Sequence, residues 1–350
     1  MVGFAGLDVP PELRALARDF DLGGVILFGR NVEAPAQVAD LVRGLRELGP
    51  EPPWIAVDQE GGRVARLRTP FTEWPPMATL GRSGDVGLTA RFARALAEEL
   101  RLVGISLDFA PVLDVHTNPA NPVIGDRALG DKAEVVAEHG CAIVAALQGA
   151  GIAACGKHFP GHGDTSTDSH HTLPVVEHPP DRLRAVEFVP FRAAIAAHVA
   201  TIMTAHVLVP SLDDTRPASL SRRIVHDVLR EELKFDGLII SDDLEMRGVA
   251  DHHPLDQAAV LAVEAGCDVI LLCGADPQRQ AVALEALVHA VESERVSFCQ
   301  IDDTLARHRR VRERFAPAIV GWRPPSAAAL RAVLGSAEHQ AIAEEMKEYL

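Results

Sequence analysis

The chain has 350 residues, enough for one large α/β barrel or two smaller domains. A composition that is 47% hydrophobic and 24% charged is that of a globular protein and excludes a disordered or fibrous chain. A formal charge of −15 argues against nonspecific binding to nucleic acid, which neutralises phosphates with basic side chains.

The opening MVGFAGLDVPPELRALARDF has no basic stretch leading into a long apolar one. No run anywhere reaches the roughly 18 apolar residues that a membrane span needs. The five cysteines, Cys141, Cys155, Cys267, Cys273 and Cys299, are scattered and odd in number, and most lie in apolar runs. That pattern suits free thiols in a reducing compartment. The expectation is a cytoplasmic protein, monomeric, with neither nucleic acid nor membrane as partner.

Eight short apolar runs recur along the chain: Val2–Leu7, Gly23–Gly29, Trp54–Glu60, Ser106–Val112, Ile152–Phe159, Ala200–Val207, Gly237–Asp243 and Cys267–Gly274. Most lead into a polar or Gly-rich stretch and then a helical pattern, the βα signature of a parallel sheet. Leu88–Gly104 and Ala133–Gly151 are amphipathic examples, each closed by glycine. Eight such units predict a single (β/α)8 TIM-type barrel over residues 1–315. A doubly wound sheet is the competing topology, but neither a Gly-x-Gly-x-x-Gly turn nor a Walker loop supports it. From GWRPPS onward the composition shifts, so residues 316–350 are expected to form a Pro-punctuated loop and an Ala/Glu-rich helix packed on the barrel.

A barrel carries its chemistry at the C-terminal ends of its strands. Those ends hold Asp58 with Glu60, Arg63 and Arg66; Asp114; Lys157 with His158; His206; and Asp242 with Asp243. The polar segment HTNPANPVIGDR, ending at Arg127, extends the fourth end. Converging charged ends describe a pocket for a heavily hydroxylated ligand. Asp242, at the end of LIISDD, is placed as a nucleophile or as an electrostatic stabiliser of developing positive charge. Asp243 suits the cap of a helix beginning in LEMRGVA.

The segment KHFPGHGDTSTDSHHT, from Lys157 to Thr172, carries four histidines in 16 residues. As a metal site its spacing matches no established ligand pattern, so no metal is expected. As a phosphate cradle it lacks the following Lys-Ser/Thr. A proton-transfer device fits better, since Asp168 and His170 can meet in a turn and a carboxylate tunes an imidazole near neutrality. A solvated loop with incidental histidines also remains open for the segment taken alone.

In order along the chain, DQEGGRVARL, IGDR, KHFPGHGDTSTDSH and SDDLEM resemble the motifs of glycoside hydrolase family 3, and within it the single-barrel bacterial β-N-acetylglucosaminidases. The resemblance spans roughly Val2 to Phe315. It implies a (β/α)8 barrel, a retaining mechanism and no cofactor. Asp242 would be the nucleophile, His170 the general acid/base and Asp168 its partner, with sugar contacts from Asp58, Arg66, Arg127, Lys157 and His158. Histidine would then stand where the usual two-carboxylate scheme has Asp or Glu. Glu245 departs from the small residue common in the family after SDDL, and the chain begins almost on its first strand. The second domain of many relatives has no room in this length.

The resemblance leads to an exo-acting enzyme releasing terminal N-acetylglucosamine from small carbohydrate or muropeptide fragments of cell-wall turnover. A phosphorylase is the alternative, because a neutral histidine repels an incoming phosphate less than a carboxylate would. A noncatalytic sugar-binding barrel and a metal-dependent hydrolase are further alternatives.

Overall fold

The computed structural model describes residues 1–169 and 172–350. Its centre is one sheet of seven parallel strands in sequence order: β1 (Gly24–Leu27), β2 (Trp54–Val57), β3 (Leu107–Asp108), β4 (Ala153–Phe159), β5 (Thr201–Thr204), β6 (Leu238–Asp243) and β7 (Val269–Leu271). β1 and β2 pair from Gly24 opposite Trp54 to Leu27 opposite Val57. Both faces are covered, so the strands read as apolar runs instead of alternating with polar residues.

The period-2 geometry of a strand still divides those runs between two cores. Val25, Leu27, Ile55, Val57, Ile202 and Ile239 join the core under the helices. Ile26, Trp54, Ala56, Leu107, Met203, Ile240 and Leu271 join a second core inside the sheet. The helix Phe298–Gly321 closes the end of this inner core with Val311, Phe315 and Ile319, spaced to lie on one helical face. Phe315 packs edge-on against Trp54, with ring centroids 5.9 Å apart.

The helices lie between successive strands as the βα pattern requires. Val86–Leu102 and Ala133–Gly149 are the two amphipathic segments read above. Asp85 caps the first by accepting the Leu88 N–H. Gly104 and Gly151 follow the two helices at φ 87° and 88°, where a side chain would be strained.

The first of the eight predicted strand runs differs. Within Val2–Leu7, Val2 alone forms bridges, to Val25 of β1 on one side and Leu272 beyond β7 on the other. The Met1 ammonium donates to the Ile270 carbonyl, which holds this short crossing in place. The chain then turns through Gly6 into the helix Pro11–Phe20, leaving no length for a strand. The run Ser106–Val112 is likewise shortened to two residues, since Pro111 has no N–H to offer a ladder.

Residues beyond Phe315 continue in the same helix to Gly321 and then form two short helices, Ala327–Val333 and Ala337–Lys347. Leu330, Leu334, Ile342 and Met346 belong to the core under the helices. His339 reaches the buried Glu99 at 3.0 Å, and Arg91 pairs with Glu345. Among the described residues no helix is long and apolar enough to cross a membrane. The five cysteines are unpaired.

Candidate active site

The C-terminal strand ends surround a cavity of about 480 Å³. Its wall includes Asp58, Arg66, Arg127, Lys157, His158 and Asp242, the six predicted site residues that converge there. Asp168 is half-buried on the segment after β4; its neighbour Ser169, and not Asp168 itself, is part of the wall. His170 lies outside the described residues.

One side of the cavity is an ion network. Lys157, at the end of β4, is 2% exposed and its Nζ lies 2.8 Å from Asp58 and 2.6 Å from Glu60. Arg127 grips Glu60 with two hydrogen bonds, and Arg66 reaches the other oxygen of Asp58 at 3.3 Å. The network thus sets two carboxylates against three cations. Burial alone would raise the Glu60 carboxyl, but Arg127 and Lys157 outweigh it and hold the group well below the usual carboxylate range. Burial likewise would lower the Lys157 ammonium, and Asp58 with Glu60 instead raises it. Glu60 is saturated by its partners, whereas Asp58 is 16% exposed and keeps accepting capacity toward the cavity.

His158 is oriented from behind. Asp114 accepts its Nδ1 at 2.7 Å and also accepts the backbone N–H of His162. Burial would raise Asp114, but His158 beside it turns the balance, and the carboxyl is held below its ordinary value. The loop ending in Arg127 is tied down by Arg63, which donates to the carbonyls of Val123 and Ile124.

Another part of the wall is acidic. Asp242 and Asp243 end β6, both half-buried. Asp243 is not a helix cap as its sequence context predicted. It remains in the strand, and its Oδ1 accepts the backbone N–H groups of Glu245 and Cys273. The next helix, Arg247–Ala250, begins later and has Met246 at its cap position. Burial pushes the Asp243 carboxyl up to about 6. Glu245 accepts the Gly274 N–H at 2.5 Å, so its charge is directed into the loop after β7. His206 bonds the Ser219 hydroxyl and the Asp243 carbonyl, bracing the end of β6.

The family described as "Glycosyl hydrolase family 3 N terminal domain" matches residues 6–311. The chain belongs to glycoside hydrolase family 3. A family 3 β-N-acetylglucosaminidase from Paenibacillus sp. superposes with a TM-score of 0.94 at 41% identity, covering 100% of this chain and 66% of that one. NagZ from Neisseria gonorrhoeae, in complex with N-trifluoroacetyl-D-glucosamine, superposes with a TM-score of 0.80 at 32% identity, covering 100% of this chain and 97% of that one. Beta-hexosaminidase A of Pseudoalteromonas piscicida is 36% identical over 97% of this chain. The chain spans 60% of that relative's length.

Within this family 3 site, sequence reasoning noted Glu60 and Asp114 as polar strand ends without giving them work. Their signal was position alone; the partners that define them come from distant parts of the chain. Asp108 was missed. It is fully buried at the end of β3 and accepts the Gln59 N–H, and its Oδ2 has no hydrogen-bond partner among the described residues. Burial raises its carboxyl well above the ordinary value. Among the described residues no group of three metal-ligating side chains is assembled.

Proposed function

We propose that this chain is an exo-acting, retaining β-N-acetylglucosaminidase that releases terminal N-acetylglucosamine from fragments of cell-wall turnover. The observation that carries the reading is a cavity that combines a cationic, carboxylate-anchored wall at Asp58, Lys157 and Arg127 with an acidic wall at Asp242. The first wall suits a polyhydroxylated ring; the second suits positive charge developing at an anomeric carbon. The names of the relatives, and the N-acetylated glucosamine analogue held by one of them, support the substrate class.

In this reading Asp58, Arg66, Arg127, Lys157 and His158 bind the sugar. The Asp242 carboxylate attacks the anomeric carbon as the bond to the leaving oxygen breaks, and protonated His170 gives that oxygen its proton. A glycosyl ester on Asp242 results. Neutral His170 then takes a proton from water as the water attacks the same carbon and releases Asp242. Asp168 stabilises the imidazolium whenever it forms. Neither step calls for a metal or a cofactor.

We further read Met1–Gly3 as the reduced eighth stave of a (β/α)8 barrel, since it bonds both edge strands. Residues 1–315 would be the catalytic unit and 316–350 its appended segment, with the boundary falling inside the helix Phe298–Gly321. Five unpaired cysteines support a reducing compartment, the cytoplasm.

Hydrolysis of a chromogenic N-acetyl-β-glucosaminide, compared with the matching β-glucoside, tests the reading. The expected result is strong preference for the N-acetylated sugar, with free sugar as product in phosphate buffer. Preference for the glucoside overturns the substrate class, and accumulation of a sugar 1-phosphate overturns the choice of water as acceptor.

A further inference from the structure

Ser169 lies between Asp168 and His170 in the chain and is 2% exposed. Two elements hold it. Its Oγ lies 3.1 Å from Nε2 of His162, just beyond the end of β4. Its carbonyl accepts the Gly248 N–H at 3.0 Å, from the short helix that follows β6 and Asp242. A Cβ on Gly248 would stand 2.9 Å from that carbonyl and 3.2 Å from the carbonyl of Thr172, so the approach needs glycine.

His162 is itself fixed on every polar atom. It is 1% exposed, its Nδ1 lies 2.7 Å from the Thr165 hydroxyl, and its N–H is taken by Asp114. Thr165 is held in turn by the Asn121 amide. Burial pushes the His162 imidazole down to about 4, which keeps the ring neutral at ordinary pH. It is therefore unsuited to donating a proton to a leaving group near neutrality. Its ring nitrogens are committed to two hydroxyls, and one of those hydroxyls belongs to the segment that carries the proposed acid/base.

We propose that His162 and Ser169 form a positioning latch, through which the rigid end of β4 sets the placement of Asp168, the partner proposed for the acid/base, relative to Asp242. The latch rests on the acid/base roles proposed above. It assigns work to His162, which the sequence left without any. Losing it should impair proton delivery and leave sugar binding and nucleophilic attack in place.

The test uses Ser169→Ala, which removes one hydroxyl, and His162→Phe, which keeps an aromatic ring but removes both side-chain hydrogen bonds. Each is assayed by kcat/KM on chitobiose, whose departing sugar alcohol needs a proton, and on 2,4-dinitrophenyl N-acetyl-β-glucosaminide, whose phenolate does not. Thermal unfolding is recorded for both variants. The expected result for Ser169→Ala is a loss of about tenfold or more on chitobiose and under about twofold on the dinitrophenyl substrate, at an unchanged unfolding midpoint. His162→Phe should repeat the same imbalance if it folds; Ser169→Ala decides alone if it does not. Equal losses on the two substrates, or none on either, overturn the latch and leave the glycosidase reading intact. A parent enzyme inactive on both substrates overturns that reading and the latch with it.

Discussion

The Arg127 guanidinium meets the Glu60 carboxylate in two hydrogen bonds, Nε to Oε2 at 2.8 Å and Nη2 to Oε1 at 2.7 Å, with both side chains at most 10% exposed. This planar fork needs arginine, because an ammonium cannot serve both oxygens in that geometry. Arg127→Lys should lower stability by about 1–3 kcal/mol and kcat/KM on an N-acetylglucosaminide by about tenfold. Denaturant unfolding and steady-state kinetics measure the two effects. Parent-like values for both would show that the fork does not matter.

Lys157 stands between Asp58 and Glu60 and is itself buried. Replacing it by methionine keeps the apolar stem but leaves two carboxylates facing each other without their shared cation. Lys157→Met should cost about 3 kcal/mol or more. Adding Glu60→Gln removes one of the stranded charges, so the double variant should be less destabilised than the sum of the singles, which a double-mutant cycle in urea measures. The Glu60 carboxyl is held below its unfolded value, so its contribution is present at neutral pH and is lost as acid titrates the folded protein. Additive losses would deny the coupling.

Much of the fold was legible because burial on both faces makes parallel strands continuous apolar runs. Gly24–Leu27 and Trp54–Val57 fall inside their predicted runs. What composition cannot reveal is how much of a run finds a partner. Val2–Leu7 is as apolar as the others, yet lies where the chain has only one residue to bridge the sheet edges. The site divides the same way. Asp58, Lys157 and Asp242 were visible as charges ending apolar strands. Glu60 was visible too, but its saturation by Arg127 and Lys157 depends on residues 67 and 97 positions away and has no local signature. Asp243 was misread because an aspartate before a helical pattern looks like a cap; the loop after β7 takes its carboxylate first. His162 carried no readable signal, since its partner is a serine whose own neighbours draw the eye.

Asp243 gives a pH prediction. Its folded carboxyl lies near 6 and its unfolded one near 3.8, so the folded state binds the extra proton between those values. Parent stability should therefore fall as pH rises from about 4 to about 6 and then level off, as far as this group is concerned. Asp243→Asn keeps an Oδ1 to accept the Cys273 and Glu245 N–H groups but carries no titrating proton. Relative to the parent it should gain about 2 kcal/mol between pH 4 and pH 7. Unfolding in urea at the two pH values measures this, and a difference that does not change with pH would refute it.

The central claim is that Asp242 becomes covalently bonded to the sugar. Incubation with a 5-fluoro N-acetylglucosaminyl fluoride, followed by proteolysis and mass spectrometry, tests it most directly. The predicted result is time-dependent inactivation with one sugar attached to Asp242, absent in Asp242→Ala. A label on a different residue, or an active enzyme that turns the reagent over and is neither labelled nor slowed, would contradict it.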